Sequence, residues 1–190
     1  MASRKSGTDS VEAFVGIDPS TSNTGVVVLG TDGQLQLCFD GKKAIQYAKY
    51  ECDTEEYLAQ ATYIVDKLKP YKILGMAYED YSFNSVHRAF TLGEYGGVLK
   101  AALWQNFNTH LMLVAPMRNK KFATGYGYAE KYMMMEQAAN ECQQLAGASD
   151  DICDAYFLAK YALYASDPHK AAMLDRGNPH LRTRLELVIH

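Results

Sequence analysis

The sequence contains no uninterrupted apolar stretch approaching the roughly 20 residues that a membrane-spanning helix needs. Its longest runs, GVVVLG and LMLVA, are short, and the opening MASRKSGTDS has no apolar core of the kind a signal peptide carries. A soluble, intracellular protein with no membrane partner is expected. Cysteine is scarce: Cys38, Cys52, Cys142 and Cys153 form no CxxC pair and, with the five histidines, no cluster of zinc-ligand spacing. That argues against a disulfide scaffold, and the missing HExxH argues against a zinc protease. No repeat, low-complexity tract or Pro/Gly/Ser-rich linker divides the chain. What is present is ordinary for a globular protein: 190 residues, 48% hydrophobic, 12% aromatic and 22% charged. That length supports one sizeable core. A net charge of −3 speaks against indiscriminate coating of nucleic acid and leaves a local basic face open.

Hydrophobic patterning predicts five strands. Residues 13–17, 25–30 and 35–39 come first, and the Thr31-Asp32-Gly33 turn pairs the second with the third as an antiparallel hairpin. Leu35, Leu37 and Phe39 are expected on one face. Asp53 with Glu56 reads as a capping pattern, and Leu58, Ala61, Ile64, Val65 and Leu68 recur at helical spacing up to Pro70. Strands at 73–78 and 111–115 flank a helical segment reaching Trp104, and a basic Gly/Tyr loop follows Pro116. Helices close the pattern at about 128–145 and 150–166. Three successive strands and then strands alternating with helices predict an α/β fold, a mixed sheet with helices on its faces. Residues 1–10 are read as an arm, 11–166 as the domain and 167–190 as a tail.

Carboxylates occupy positions where they are expensive. Asp18 interrupts an apolar first strand, and Glu79 ends a buried one; an ionised carboxylate there costs several kcal/mol unless paired or metal-bound. The plain alternative for Asp18 is a cap on the turn Pro19-Ser20-Thr21. Asp151 and Asp154 stand three apart on one face of a helix's first turn, where like charges repel and the helix dipole offsets part of the repulsion. Asp150 or Asp151 as a simple N-cap is the alternative there. Should the four acids converge, their oxygen donors select Mg²⁺, with Mn²⁺ as a substitute, over zinc. Such a site suits phosphodiester hydrolysis by two metals, and no Ser/His or Cys/His pair is evident to compete with that chemistry.

The segment MRNKKFATGYGYAEK sets Arg118, Lys120, Lys121 and Lys131 against Glu130, interleaved with Phe122, Tyr126 and Tyr128. Cations neutralise phosphates, rings stack on bases or sugars, and Gly125 and Gly127 permit close backbone approach. A solvated loop is the alternative, and the spacing fits no Walker loop.

Taken in order, these motifs resemble the RuvC-type Holliday junction resolvases, nucleases of the RNase H-like fold. GIDPSTSNTGVVVL is similar to that family's first-strand motif, YEDYSF to the segment with its second acid, LGEYGGVLKAAL to the following helix, ATGYGYAEK to its Gly-rich basic segment and DDICDAYFLA to its paired aspartates. The resemblance spans about residues 18–160. It implies a five-stranded sheet, the first three strands antiparallel and the rest parallel. It also implies Asp18, Glu79, Asp151 and Asp154 as metal-binding catalytic acids, with Lys120 and Lys131 as phosphate contacts and Arg118, Lys121 and Tyr126 beside them. Tyr81 and Phe83 are the candidates for the aromatic that opens the junction, and a homodimer is implied, matching the two-fold substrate. Ser20 departs from the family's glycine, GEYGG from its Gly-Gln-Ala-Arg-Gly, and residues 40–53 and those beyond 166 have no counterpart. A bacterial cytoplasm is the expected setting, with a phage, virus or organelle as other sources. Two alternatives follow from the same residues: a related nuclease acting on hybrids, flaps or other branched DNA, and an actin-like or sugar-kinase-type ATP-binding protein, which shares the first motif and needs a second domain. A module that binds junctions without cutting them leaves the acids unexplained.

Overall fold

The computed structural model of the chain describes residues 10–41, 50–80 and 89–174. Its centre is a five-stranded sheet. Strands β1 (Val11–Asp18), β2 (Gly25–Gly30) and β3 (Leu35–Asp40) run antiparallel in succession, and β4 (Tyr71–Glu79) and β5 (Leu111–Val114) add in parallel on the other side of β1, giving the order β3-β2-β1-β4-β5. The hairpin between β2 and β3 closes through Gly33, whose φ of 81° suits glycine and whose N–H donates to the Gly30 carbonyl at 2.9 Å. This is the mixed sheet that the strand pattern predicts.

Period-two alternation divides the sheet into two unlike faces. Ala13, Val15 and Ile17 of β1, with Val26, Val28, Met76 and Tyr78, pack under α1 (Asp53–Leu68) and α2 (Ala89–Phe107) through Ile64, Leu68, Leu99 and Leu103. Val27, Leu29, Phe14 and Ala77 point the other way and pack under α5 (Asp150–Ala165), which α3 (Pro116–Thr124), α4 (Lys131–Glu141) and α6 (Pro168–Leu174) support. Lys160 of α5 pairs with Glu141 and so ties α4 to α5.

Several expectations are corrected. The segment after Pro116 is a helix in its first half: Pro116 begins α3 with its preset φ, and Gly125, at φ 79°, ends it in the left-handed conformation. Only the connection 125–130 remains outside helices. α4 therefore starts at Lys131 rather than 128, and extended Cys142 separates it from a 3-10 turn at Gln143–Leu145. α1 is preceded by Cys52, which makes no side-chain cap, and Asp53 lies inside the first turn. α5 is capped by neither Asp150 nor Asp151: the Ser149 hydroxyl accepts from the Ile152 N–H. In β3, a bulge pairs Leu29 with Leu35 and Val28 with Leu37, so Leu35 joins the α5 side while Leu37 and Phe39 join the α1 side.

Candidate active site

Asp18 is the last residue of β1 and Glu79 the last of β4, adjacent parallel strands in which Ile17 pairs with Tyr78. Alternation from Gly16 and Ala77 sends both acids to the α5 face of the sheet's carboxyl edge. Glycine then decides how near α5 comes. A Cβ on Gly16 would stand 2.0 Å from the Ala155 carbonyl oxygen and 2.2 Å from the Ala159 nitrogen, and one on Gly25 would stand 2.2 Å from the Asp151 carbonyl oxygen. The helix backbone thus rests directly on β1 and β2, and its first turn brings Asp151 and Asp154 to the two strand-end acids.

The electrostatics of these groups follow from that placement. Burial holds Asp18 well above the usual carboxylate range, with Glu79, Asp154, Asp151 and Asp150 adding repulsion. Burial pushes Glu79 up to about 8; Asp154 and Asp151 add to the shift, while Lys120 and a hydrogen bond from Asn119 oppose it. Asp154 rises to about 6, again through burial first, with Lys120 pulling it back. Asp151, half-buried, is raised by desolvation against a hydrogen bond from Asn23. Asp150 differs: its ion pair with Lys131 lowers it. Four acids pressed together with too little positive charge repel one another, a repulsion that a cation would relieve.

Among the described residues no three acidic, histidine or cysteine side chains already form a ready-made cation cage. The donor set nevertheless fits a hard divalent cation. All four groups offer carboxylate oxygens, and Asp154 Oδ1 is buried with no hydrogen-bond partner among the described residues.

Lys120 of α3 lies near enough to Glu79 and Asp154 for its charge to favour their ionised forms. Lys131 opens α4 against Asp150, and Lys121 and Tyr126 are exposed. Arg118 is drawn inward, its guanidinium 5.6 Å from the centre of the Tyr161 ring on α5. Tyr81 and Phe83 lie outside the described residues, as does most of 40–53.

Three supporting residues escape the sequence reading. Asn23 Nδ2 donates to Asp151 Oδ2 at 2.5 Å and holds that carboxylate from the β1–β2 turn. Asn119, fully buried, donates to the Asp154 carbonyl oxygen at 3.1 Å and also meets Glu79. Thr24, fully buried, donates to the Ser20 carbonyl at 2.7 Å and meets the Tyr95 hydroxyl at 2.5 Å, which braces the turn bearing Asn23 from below. STSNTG held the signal for Asn23 and Thr24, since a polar pair entering an all-apolar strand needs partners.

No protein-family model and no curated protein matches the sequence. Solved structures do. The chain is similar to Thermus thermophilus RuvC at a TM-score of 0.58 and 21% identity, over 82% of this chain and 95% of that one. It is likewise similar to T. thermophilus RuvC in complex with Holliday junction substrate, at a TM-score of 0.57 and 20% identity, over 82% of this chain and 92% of that one. The fold is therefore RuvC-like, within the RNase H-like class.

Proposed function

We propose, with the RuvC-like fold as premise, that this chain is a structure-selective endodeoxyribonuclease that resolves four-way DNA junctions by paired, symmetric, metal-dependent nicks leaving 5′-phosphate and 3′-hydroxyl ends. The observation that carries the reading is the convergence of Asp18, Glu79, Asp151 and Asp154 on one sheet edge, with carboxyl groups that burial and mutual repulsion raise. Likeness to a RuvC solved with a junction supplies the substrate class. Fold alone does not assign function, so the site has to bear the argument.

The four acids would hold Mg²⁺, or Mn²⁺ in its place. Such a cation supplies Lewis-acid charge to a phosphoryl oxygen and a water acidic enough to attack at neutral pH. Glu79, raised to about 8 by burial and by its acidic neighbours, would release its proton as a cation is held there. Asn23 and Asn119 orient Asp151 and the Asp154 turn of α5. Lys120 balances the acids, while Lys131, tied to Asp150, is placed to exchange that partner for a phosphate. A homodimer would set two such sites on opposed strands of a two-fold junction.

Cleavage of an end-labelled synthetic four-way junction in Mg²⁺ tests the reading, with EDTA and Asp154→Asn as controls. Paired, ligatable nicks at symmetric positions, lost in both controls while the variant still binds, are expected. Cleavage confined to hybrid duplexes or flaps would keep the metal site and remove the resolvase assignment.

A further inference from the structure

The connection 125–130 joins the two helices whose lysines address the acids, Lys120 on α3 and Lys131 on α4. It is a folded turn. The Thr124 hydroxyl donates to the Lys120 carbonyl at 2.9 Å and accepts from the Tyr126 N–H at 3.2 Å, and the Ala129 N–H donates to the Tyr126 carbonyl at 3.2 Å. Gly127 packs against α3 so closely that a Cβ there would lie 3.2 Å from the Met117 carbonyl oxygen. Yet this well-anchored turn presents two large rings to water. Tyr126 is 56% and Tyr128 68% exposed, with ring centres 5.9 Å apart and planes inclined by 57°.

Neither ring is needed by the core, and a fixed aromatic pair exposed between cations is the arrangement on which proteins stack nucleic-acid bases. The segment from Met117 to Tyr132 carries Arg118, Lys120, Lys121 and Lys131 against Glu130, which suits a polyanion and disfavours an apolar peptide. Bases inside a duplex offer no free face to such rings, whereas unpaired bases do. We infer that Tyr126 and Tyr128 form a stacking platform for an unpaired base of DNA, next to the acidic site, so that the enzyme favours strands opened at a branch over continuous duplex. The identity of that strand as enzyme substrate rests on the nuclease reading above; the stacking does not.

Binding of fluorescein-labelled oligothymidylate and of a labelled duplex of equal length, measured by anisotropy in EDTA with the full chain, tests the platform. Combined Tyr126→Ala and Tyr128→Ala substitutions should weaken oligothymidylate binding by about tenfold or more and duplex binding by less than about twofold. Combined Tyr126→Phe and Tyr128→Phe substitutions keep the rings and should retain the affinity. Equal losses on both probes, or no loss on oligothymidylate, would overturn the platform. Junction cleavage by the wild-type protein separates the two readings. If it cuts junctions while the alanine variant still binds oligothymidylate normally, the platform falls and the nuclease reading stands. If it cuts nothing while the alanine variant loses oligothymidylate, the nuclease reading falls and the platform stands.

Discussion

The two faces of the central sheet are made by alternate residues of the same strands, yet they serve different ends. Towards α1 and α2, β1 offers Ala13, Val15 and Ile17, each fully buried, and the helices answer with Ile64, Leu68 and Leu99. That face is a hydrophobic core, and its polar part is the buried cluster of Thr24, Gln60 and Tyr95 at one end. Towards α5 the same strand offers Phe14, Gly16 and Asp18: an apolar anchor, a gap for a helix backbone and a charge. One face maximises buried area, while the other spends buried area on close approach and on carboxylates that repel one another. Stability resides on the first face and the candidate chemistry on the second.

Substitutions can break that division in order of expected effect. Asp154→Asn should lower junction cleavage by more than about a hundredfold in a gel assay, while its melting temperature in EDTA rises, because a buried repelling carboxyl becomes neutral. Gly16→Ala should come next. Its new Cβ, 2.0 Å from the Ala155 carbonyl oxygen, forces α5 off the sheet, at an overpacking cost of about 1–3 kcal/mol and with a loss of activity beyond the loss of folded protein. The matched change on the other face, Ile64→Val, should cost about 0.5–1.5 kcal/mol by denaturation and leave the activity of the folded protein unchanged. Asn23→Ala removes only the brace on Asp151 and should cost about tenfold in activity with little change in melting temperature. Smallest is Lys131→Ala, expected to weaken DNA binding modestly and to lower the slope of log affinity against log salt by about one.

Much of the fold was legible because period-two alternation and turn chemistry are local signals: GVVVLG, the Asp32-Gly33 turn and ILGMAY report strands without any tertiary information. The acids were legible for a related reason, since Asp18 and Glu79 stand where an apolar strand makes a charge costly. α3 was not. Gly and Tyr at its end dominated the composition of its segment, whereas Pro116 at its start and Gly125 at its end mark a helix. The capping alternative for Asp150 and Asp151 falls to Ser149, whose signal immediately before them was obscured by the run of acids. Asn119 and the Thr24–Tyr95 contact are beyond sequence reading altogether, since each joins elements far apart in the chain. The part played by Gly16 and Gly25 likewise emerges only once α5 is known to cross β1 and β2.

The central claim is that the carboxylates at the sheet edge form a divalent-cation site, and thermal unfolding against pH, with EDTA and with Mg²⁺, tests it most directly. Glu79 shifts from an ordinary 4.5 to about 8 and Asp154 from 3.8 to about 6, so ionising either group disfavours the folded state. In EDTA, stability should therefore be greatest below about pH 3.8, as far as these groups are concerned, and decline through about pH 8, by roughly 5–10 °C in melting temperature. Mg²⁺ should restore most of that loss at pH 8 and little at pH 5, where protons compete for the carboxylates. Asp154→Asn should flatten both the decline and the rescue. Identical pH curves with and without Mg²⁺ would contradict the claim and leave the four acids as a buried cluster without a cation.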